Sequence, residues 1–292
     1  MSVKNIDSEG IHKETCETWN DFKETVHKMM PADKILEDKQ WIFRGILKSH
    51  PLETTLERIC NCWQISLKEL PNIEGELIRE IERKAFGLGI PLPAEPDKIW
   101  WVSLMQHYGA PTRLLDFTYS PYIAAYFAFE KLLFDEGEKE SAAVWAVQHR
   151  WTEQGGNLAT NYNRDLLKKI RESETNSLNF LFEVKEIRRA SVMQVTAKYL
   201  NDRITAQQGV FLCPTDITIS FMDNFTRVNG WNDERMVKEL ILPRSCMNEA
   251  FEELRKMNIA RYSLFPDFGG FAQSLNYRLR LFKDIAQFRD RQ

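Results

Sequence analysis

Residues 105–129, "MQHYGAPTRLLDFTYSPYIAAYFAF", place four polar side chains in a segment that is otherwise apolar enough to be buried. These side chains are Gln106, His107, Arg113 and Asp116. Because a charge that is desolvated without a partner is strongly unfavourable, each of them needs a partner inside the fold. One interpretation is purely structural, with Arg113 and Asp116 as a buried ion pair and His107 as a helix cap. The other is that the four residues border a ligand site.

The local pattern around these residues predicts a helix, a short strand and a second helix. "DKIWWVSLMQHYG" is typical of a helix that stops at Gly109, since Pro111 prevents its continuation. "TRLLDFT" predicts a mostly buried strand. "SPYIAAYFAFEKLLF" predicts a helix with Ser120 as its N-cap and Pro121 in its first position. The polar residues therefore lie at the junctions of three consecutive elements.

The rest of the chain alternates between helical and extended patterns. Helical spacing of apolar residues occurs in "TCETWNDFKETVHKMM", in "SHPLETTLERI" with Ser49 as its cap, in "EGELIREIERKAF" with a charged, solvated face, in "SCMNEAFEELRKMNI" with Ser245 as its cap, and after "PDFGG". Strand patterns occur in "KQWIFRG", ended by Gly45, and in "SAAVWAVQ", "NFLFEVKEI", "GVFLCP" and "VKELILP". "GLGIPLPAEP" and the Gly- and Asn-rich stretch after Trp151 predict loops.

This order of elements predicts an α+β fold with mixed small sheets and surrounding helices. We expect one domain over residues 41–292, preceded by an N-terminal helical extension over residues 1–40 that packs on it.

Composition and missing motifs exclude several classes of function. The formal net charge of -3 gives no strong nucleic-acid signature. The odd number of cysteines favours free thiols in a reducing compartment, and no apolar run approaches the roughly 20 residues that cross a bilayer. We therefore expect a cytoplasmic protein without a membrane partner. The histidine and cysteine spacings predict no metal, and the phosphate loop, dinucleotide-binding glycines and nucleophile elbow are missing from the sequence.

Four motifs in a fixed order closely resemble the FRG domain family, which is named for the tripeptide Phe43, Arg44 and Gly45. The motifs are "WIFRG", "QHYGAPTRLLDFTYSP", "RITAQQGVF" and "LFPDFGGFAQSL", and they run from about Trp41 to Leu275. Arg203 and Gln207 match the family pattern. We expect Arg113, Asp116 and Arg203 to form a structural network, and Gln207 or Gln208 to orient a ribose or another substrate group.

A second set of motifs is similar to ADP-ribosyltransferases of the arginine, serine and glutamate class. In that resemblance Arg44 holds NAD, and "FTYSPYIAAYFA" supplies hydroxyls at Thr118 and Ser120. "KELILPRS" then makes Glu239 the catalytic carboxylate, because a carboxylate stabilises the positively charged ribosyl centre that forms when nicotinamide leaves. Two departures are that Val237 stands where the class usually has Glu or Gln, and that the strand end is Thr-Tyr-Ser rather than Ser-Thr-Ser.

These resemblances imply an ADP-ribosyltransferase-like core that uses NAD to modify a macromolecule or hydrolyses it, as a bacterial toxin or anti-phage defence effector would. The expected catalytic residues are Glu239, Gln207 and His107. The expected NAD-binding residues are Arg44, Gly45, Gln106, Thr118, Ser120, Tyr108 and Tyr126, with a glycine that lets the ligand approach the backbone and tyrosines that stack on nicotinamide. The alternative is a non-catalytic module that senses a ligand or binds a protein.

Overall fold

The structure is a computed structural model that describes residues 3–6, 10–31, 41–90, 92–93, 97–133, 140–153, 182, 190–196 and 202–276. Within these ranges every helix is too short or too polar to span a bilayer. The strand expected in "NFLFEVKEI" and the loop expected after Trp151 lie almost entirely outside the described residues, as does part of "GLGIPLPAEP".

The strands of the described residues form one eight-stranded sheet. They are β1 (Val3–Ile6), β2 (His12–Thr15), β3 (Trp41–Leu47), β4 (Leu115–Thr118), β5 (Ala142–Gln148), β6 (Val192–Val195), β7 (Gly209–Pro214) and β8 (Val237–Leu242). Their order across the sheet is β1-β2-β8-β5-β3-β4-β7-β6. The pair of β2 with β8 is parallel and the other pairs are antiparallel. A mixed sheet with helices is thus confirmed, but one large sheet takes the place of the small sheets that we expected.

The helices mostly follow the apolar periodicity of the sequence. They are α1 (Trp19–Met29), α2 (Thr55–Cys62), α3 (Leu70–Ala85), α4 (Lys98–His107), α5 (Pro121–Leu133), α6 (His149–Glu153), α7 (Asp202–Ala206), α8 (Phe221–Thr226), α9 (Met247–Lys256) and α10 (Arg261–Leu264), and residues 268–276 are also helical. The cap expected at Ser120 is confirmed, since its hydroxyl accepts the amide of Ile123 at 3.3 Å.

Two of the expected helix caps and one strand end are wrong. The N-cap of α2 is Thr54 rather than Ser49, because the Thr54 hydroxyl accepts the amide of Glu57 at 3.2 Å. Helix α9 begins from a short 3-10 turn, Arg244–Cys246, so Ser245 lies inside this turn instead of capping the helix. Strand β3 continues past Gly45 to Leu47, since it pairs with β5 along its whole length.

Residues 1–40, expected as a helical extension, contribute to the sheet as well as to the helical layer. Their described part contains β1, β2 and α1. Strand β2 lies between β1 and β8, and the side chains of Trp19 and Phe22 in α1 are fully buried in the main core. The N-terminal residues thereby extend the sheet at its β8 edge.

Helices α5 and α4 cover the same face of the sheet, side by side. Phe43 pairs with Thr118 and Asp116 pairs with Phe211, and residues of one strand that are two positions apart share a face. Phe43 belongs to the core under α5, and Phe211 belongs to the core under α4. The opposite face carries Trp145, which packs against Phe225 of α8.

Gly45 sets how closely α5 approaches β3. A β-carbon at this position would overlap the main-chain oxygen of Ala124 and come within 2.6 Å of the amide nitrogen of Ala128. The glycine therefore permits direct contact between a helix backbone and a strand backbone. The space that we expected a ligand to use at Gly45 is taken up, on this side, by the helix.

Candidate ligand-binding cleft

A cleft opens where β3 and β4 part. The two strands are joined by the single pair of Phe43 with Thr118. Beyond that pair, the Arg44 side chain makes the connection by donating from Nη1 to the main-chain oxygen of Asp116 at 2.6 Å. The cleft has a volume of about 430 Å³ and is enclosed by β3, β4, α5, α7 and the segment from Arg261 to Gln273.

Four cationic side chains line this cleft. They are Arg44, Lys131, Arg203 and Arg261. The Nε atoms of Arg44 and Arg261 are buried and have no hydrogen-bond partner among the described residues. Burial lowers the pKa of Arg44, although a guanidinium stays charged at any physiological pH. The arginines of the cleft thus supply positive charge at any physiological pH.

The ring of Phe265 holds two of these cations in place. The guanidinium carbon of Arg261 lies 3.7 Å from the ring centroid and that of Arg203 lies 4.5 Å from it. Arg261 also donates from Nη1 to Glu130 at 2.7 Å and contacts the side-chain oxygen of Gln273. Cation–π contacts and hydrogen bonds of this kind fix planar guanidinium groups in one orientation.

Lys131 differs from the arginines because its charge depends on pH. The residue is exposed overall, yet its ammonium group reaches into the cleft and donates to the main-chain oxygen of Gly45 at 3.3 Å. Desolvation, followed by the positive charge of Arg44, lowers the pKa of Lys131 to about 7. This amine is therefore partly neutral at physiological pH.

Two carboxylates of the cleft have different surroundings. Asp116 accepts a hydrogen bond on Oδ1 from Nε2 of Gln106 at 2.7 Å, and the amide oxygen of Gln106 accepts the hydroxyl of Thr112. Glu130 accepts from the hydroxyl of Tyr126 on Oε1 at 3.0 Å and from Arg261 on Oε2. Asp116 is exposed, whereas Glu130 is engaged at both oxygens.

The structure brings six of the expected site residues to the cleft. They are Arg44, Gly45, Asp116, Thr118, Arg203 and Gln207. The Thr118 hydroxyl donates to the main-chain oxygen of Gln207 at 2.7 Å and accepts the amide of Ser120 at 3.0 Å. The Gln207 amide donates to the main-chain oxygen of Leu264 at 3.0 Å. Thr118 and Gln207 therefore hold together the chain segments that form the wall.

Other expected residues lie near the cleft without lining it. Gln106 contacts it through Asp116, and Ser120 caps α5. His107 ends α4, its main-chain oxygen accepts Nη1 of Arg203 at 3.2 Å, and its pKa is lowered by burial and then by the charge of Arg203. Tyr108 is exposed beside the His107 ring, while Tyr126 is 2% exposed within the core. The structure thus places neither tyrosine as a stacking surface in the cleft.

Glu239 is not among the residues that line this cleft. It pairs with Trp145, which in turn pairs with Arg44, so that two strand spacings of about 5 Å each separate Glu239 from Arg44 along the sheet. Leu240 belongs to the core under α5, so its neighbour Glu239 lies on the opposite face, the same face as its register partners Trp145 and Arg44, but two strands away from Arg44. Glu239 is 2% exposed and its Oε2 lies 2.9 Å from Nζ of Lys13. The structure does not bring this carboxylate to the other site residues.

Arg113 makes a different ion pair from the one that we considered. Its guanidinium makes a bidentate contact with Glu74 of α3, with Nε 2.7 Å from Oε1, and both side chains are 4% exposed. Arg113 also lies 4.4 Å from the ring centroid of Phe182. The expected pair with Asp116 is therefore wrong. The expectation of a solvated charged face on α3 is also wrong at Glu74, which is buried against Arg113.

The sequence interpretation missed several cleft residues. Glu130 and Lys131 stand near the end of an apolar helix. Each lies four residues after an aromatic residue, Tyr126 and Phe127, and residues four apart share a helix face. This spacing could have indicated that both charged side chains reach the cleft. The motif "LFPDFGG" contains Phe265 and Asp267 and follows Arg261. The sequence resemblance included this motif but predicted no function for its residues. Among the described residues no group of histidine, cysteine, aspartate and glutamate side chains is placed to hold a metal ion.

A comparison with protein-family models identifies the part of the chain that carries the cleft arginine. Residues 39–136 match the FRG domain. This range contains β3, β4 and α5 with Arg44, Asp116 and Lys131, and the match supports the resemblance to the FRG domain family that the motifs indicate. A search of curated proteins and a search of solved structures each gave no match.

Proposed function

We propose that the protein binds a nucleotide-like anion in the cleft and that NAD, which the sequence resemblance implies, is this ligand. The observation that carries the proposal is the convergence of Arg44, Lys131, Arg203 and Arg261 on one cleft. Guanidinium groups bind phosphate oxygens through two parallel hydrogen bonds, and three of the four cations are arginines. A volume of about 430 Å³ lies in the range of small-molecule sites.

The proposed activity is transfer of ADP-ribose from NAD to a macromolecule, or hydrolysis of NAD. In either reaction the bond between nicotinamide and ribose breaks, and positive charge develops on the ribosyl carbon, which a nearby carboxylate stabilises. Asp116 and Glu130 are carboxylates of the cleft itself. A catalytic role for Glu239 stays a prediction. Within a bacterial cell, an activity of this kind would suit a toxin or an anti-phage effector.

A second candidate is a non-catalytic module that senses a ligand or binds a protein. The position of Glu239 favours it, because this carboxylate is buried beside Lys13 and is not among the residues that line the cleft. In this alternative the arginines bind NAD and the bond to nicotinamide stays intact.

Titration calorimetry with NAD and an assay for nicotinamide release separate the candidates. For wild type we expect NAD binding, for Arg44→Lys about tenfold weaker binding through loss of the bidentate geometry, and for Arg255→Ala no change, since Arg255 is exposed on α9. Failure of the wild type to bind NAD would contradict both forms of the proposal. Binding without nicotinamide release would support the sensing module, and turnover that persists in Glu239→Gln would remove Glu239 from the mechanism.

A further inference from the structure

We infer that Asp116 is the residue through which the cleft recognises hydroxyl groups of its ligand, so that the ligand is a sugar phosphate rather than a simple phosphate. This inference rests on the proposed anion-binding function of the cleft. It adds a specificity-determining residue and a chemical class of ligand.

Asp116 is held at both its backbone and its side chain. Its main-chain oxygen accepts Nη1 of Arg44, and its Oδ1 accepts Nε2 of Gln106. Gln106 is oriented in turn by the Thr112 hydroxyl, and the Thr112 amide donates to the Thr55 hydroxyl at 2.9 Å. The chain of contacts from α2 to β4 therefore fixes the direction of the carboxylate before any ligand binds.

The charge of Asp116 acts on three of the four cations. It raises the pKa of Arg44, of Lys131 and of Arg203, against the larger lowering that burial causes in each of them. Asp116 lines the same cleft as these groups, so its carboxylate is within reach of a ligand that they bind. Because it repels a bare phosphate, its presence is unfavourable in a site for phosphate alone.

The other carboxylates of the cleft, Glu130 and Asp267, differ from Asp116 in their contacts. Glu130 receives Tyr126 and Arg261 on its two oxygens. Asp267 is exposed like Asp116 and accepts the amide of Gly270 at 2.6 Å, but it is not joined to Arg44 as Asp116 is. An ionised carboxylate has about four acceptor positions, and Asp116 is exposed to the cleft with one bond from Gln106. Asp116 is thus suited to accept from adjacent ligand hydroxyls while the arginines hold the phosphate.

Titration calorimetry with inorganic phosphate, ribose 5-phosphate and 2-deoxyribose 5-phosphate tests this inference. The wild type should bind ribose 5-phosphate about fivefold to tenfold more tightly than the deoxy sugar, because one hydroxyl bond to a charged acceptor is lost. In Asp116→Asn this preference should disappear, while phosphate binds at least as tightly. Glu252→Gln, which removes an exposed carboxylate on α9, should keep the wild-type preference.

Gln106→Met provides a second variant, because it removes the amide that orients Asp116 and keeps the charge. This variant should reduce the preference for ribose 5-phosphate over the deoxy sugar to about twofold. It also provides a test if Asp116→Asn does not fold. The inference is overturned if the folded wild type binds none of the three probes or does not discriminate between the two sugars, or if the variants keep the full preference. If the protein does not bind NAD but shows an Asp116-dependent preference for ribose 5-phosphate, NAD is rejected as the ligand and the role of Asp116 stands.

Discussion

Arg44 and Asp116 are joined by a hydrogen bond of 2.6 Å from a guanidinium Nη1 to a main-chain oxygen, at the place where two neighbouring strands stop pairing. The arginine thus stands in for a strand-to-strand hydrogen bond and is at the same time part of the cleft lining. Because one side chain has both roles, substitutions at Arg44 should be followed by stability and by ligand affinity separately.

Gly45→Ala should prevent normal folding. The new β-carbon would overlap the Ala124 backbone, and neither β3, held by β5, nor α5, buried along its length, has room to move. We expect loss of the cooperative thermal transition or recovery of the protein only in inclusion bodies. Gly75→Ala, at a helical position with open space around the added carbon, is the matched control and should fold. A soluble Gly45→Ala protein that melts like wild type would contradict the close packing.

The affinity for ADP-ribose should fall as the pH rises above 7. Lys131 has a folded-state pKa of about 7, below the ordinary 10.5, and a bound anion raises this pKa, so that binding takes up a proton. Affinity is therefore highest when Lys131 is protonated and decreases through the window above pH 7, by about tenfold over the first pH unit or two. Calorimetry across this range measures the slope, because the charge of ADP-ribose does not change there.

Variants at Lys131 separate this effect from other titrations. Lys131→Arg should bind tightly with a flat pH profile, and Lys131→Met should bind weakly with a flat profile. Lys68→Met, an exposed lysine outside the cleft, should retain the wild-type slope. An unchanged slope in Lys131→Met would show that another group causes the pH dependence.

Glu74→Gln should destabilise the protein by about 3–5 kcal/mol, because Arg113 would be left buried with its charge unpaired. The double variant Glu74→Leu with Arg113→Met should recover much of this loss, since it buries no charge. Urea unfolding monitored by tryptophan fluorescence gives the free energies. Glu76→Gln, on an exposed residue of the same helix, is the control and should change stability by less than about 0.5 kcal/mol. A small effect at Glu74 would contradict the buried pair.

Glu57→Gln should stabilise the protein increasingly as the pH rises from 4.5 to 7. Burial raises the pKa of Glu57 from 4.5 to about 7, against the hydrogen bond from the Phe221 amide at 3.0 Å. The folded state therefore binds more protons than the unfolded state in this window, and the wild type loses stability as the pH rises through it. Gln keeps an oxygen for Phe221 without a charge, so the gain above pH 7 should be on the order of 2–3 kcal/mol.

Denaturant unfolding at several pH values checks the Glu57 prediction, with Glu252→Gln as an exposed control. A difference between Glu57→Gln and wild type that does not change with pH would contradict the raised pKa.

Local patterns were enough to predict the elements around the cleft. The caps and apolar spacing of α4, β4 and α5 depend on neighbouring residues, and Ser120, Pro121 and Gly109 act within their own turns. Strands β2 and β6 were missed because His12–Thr15 and Val192–Val195 are four residues long and, unlike the equally short β4, do not stand between two predicted helices.

The partners within the cleft depend on distant parts of the chain. Glu74 is separated from Arg113 by 39 positions and Glu130 from Arg261 by 131, so neither pair has a local signal. Glu239 shows the opposite problem, because its motif is local but a role in the cleft depends on how close β8 lies to β3. Strand β5 stands between them in the sheet, and the motif does not encode that order.

The order of strands also determines where this chain can be divided. The segment that matches the FRG domain ends at residue 136, but both of its strands have their main partners beyond it, β5 for β3 and β7 for β4. A fragment cut at the borders of the match would expose two unpaired strand edges and lack Arg203 and Arg261. Expression of residues 39–136 alone should therefore yield aggregates, and a fragment intended for ligand studies must extend through the helical residues 268–276.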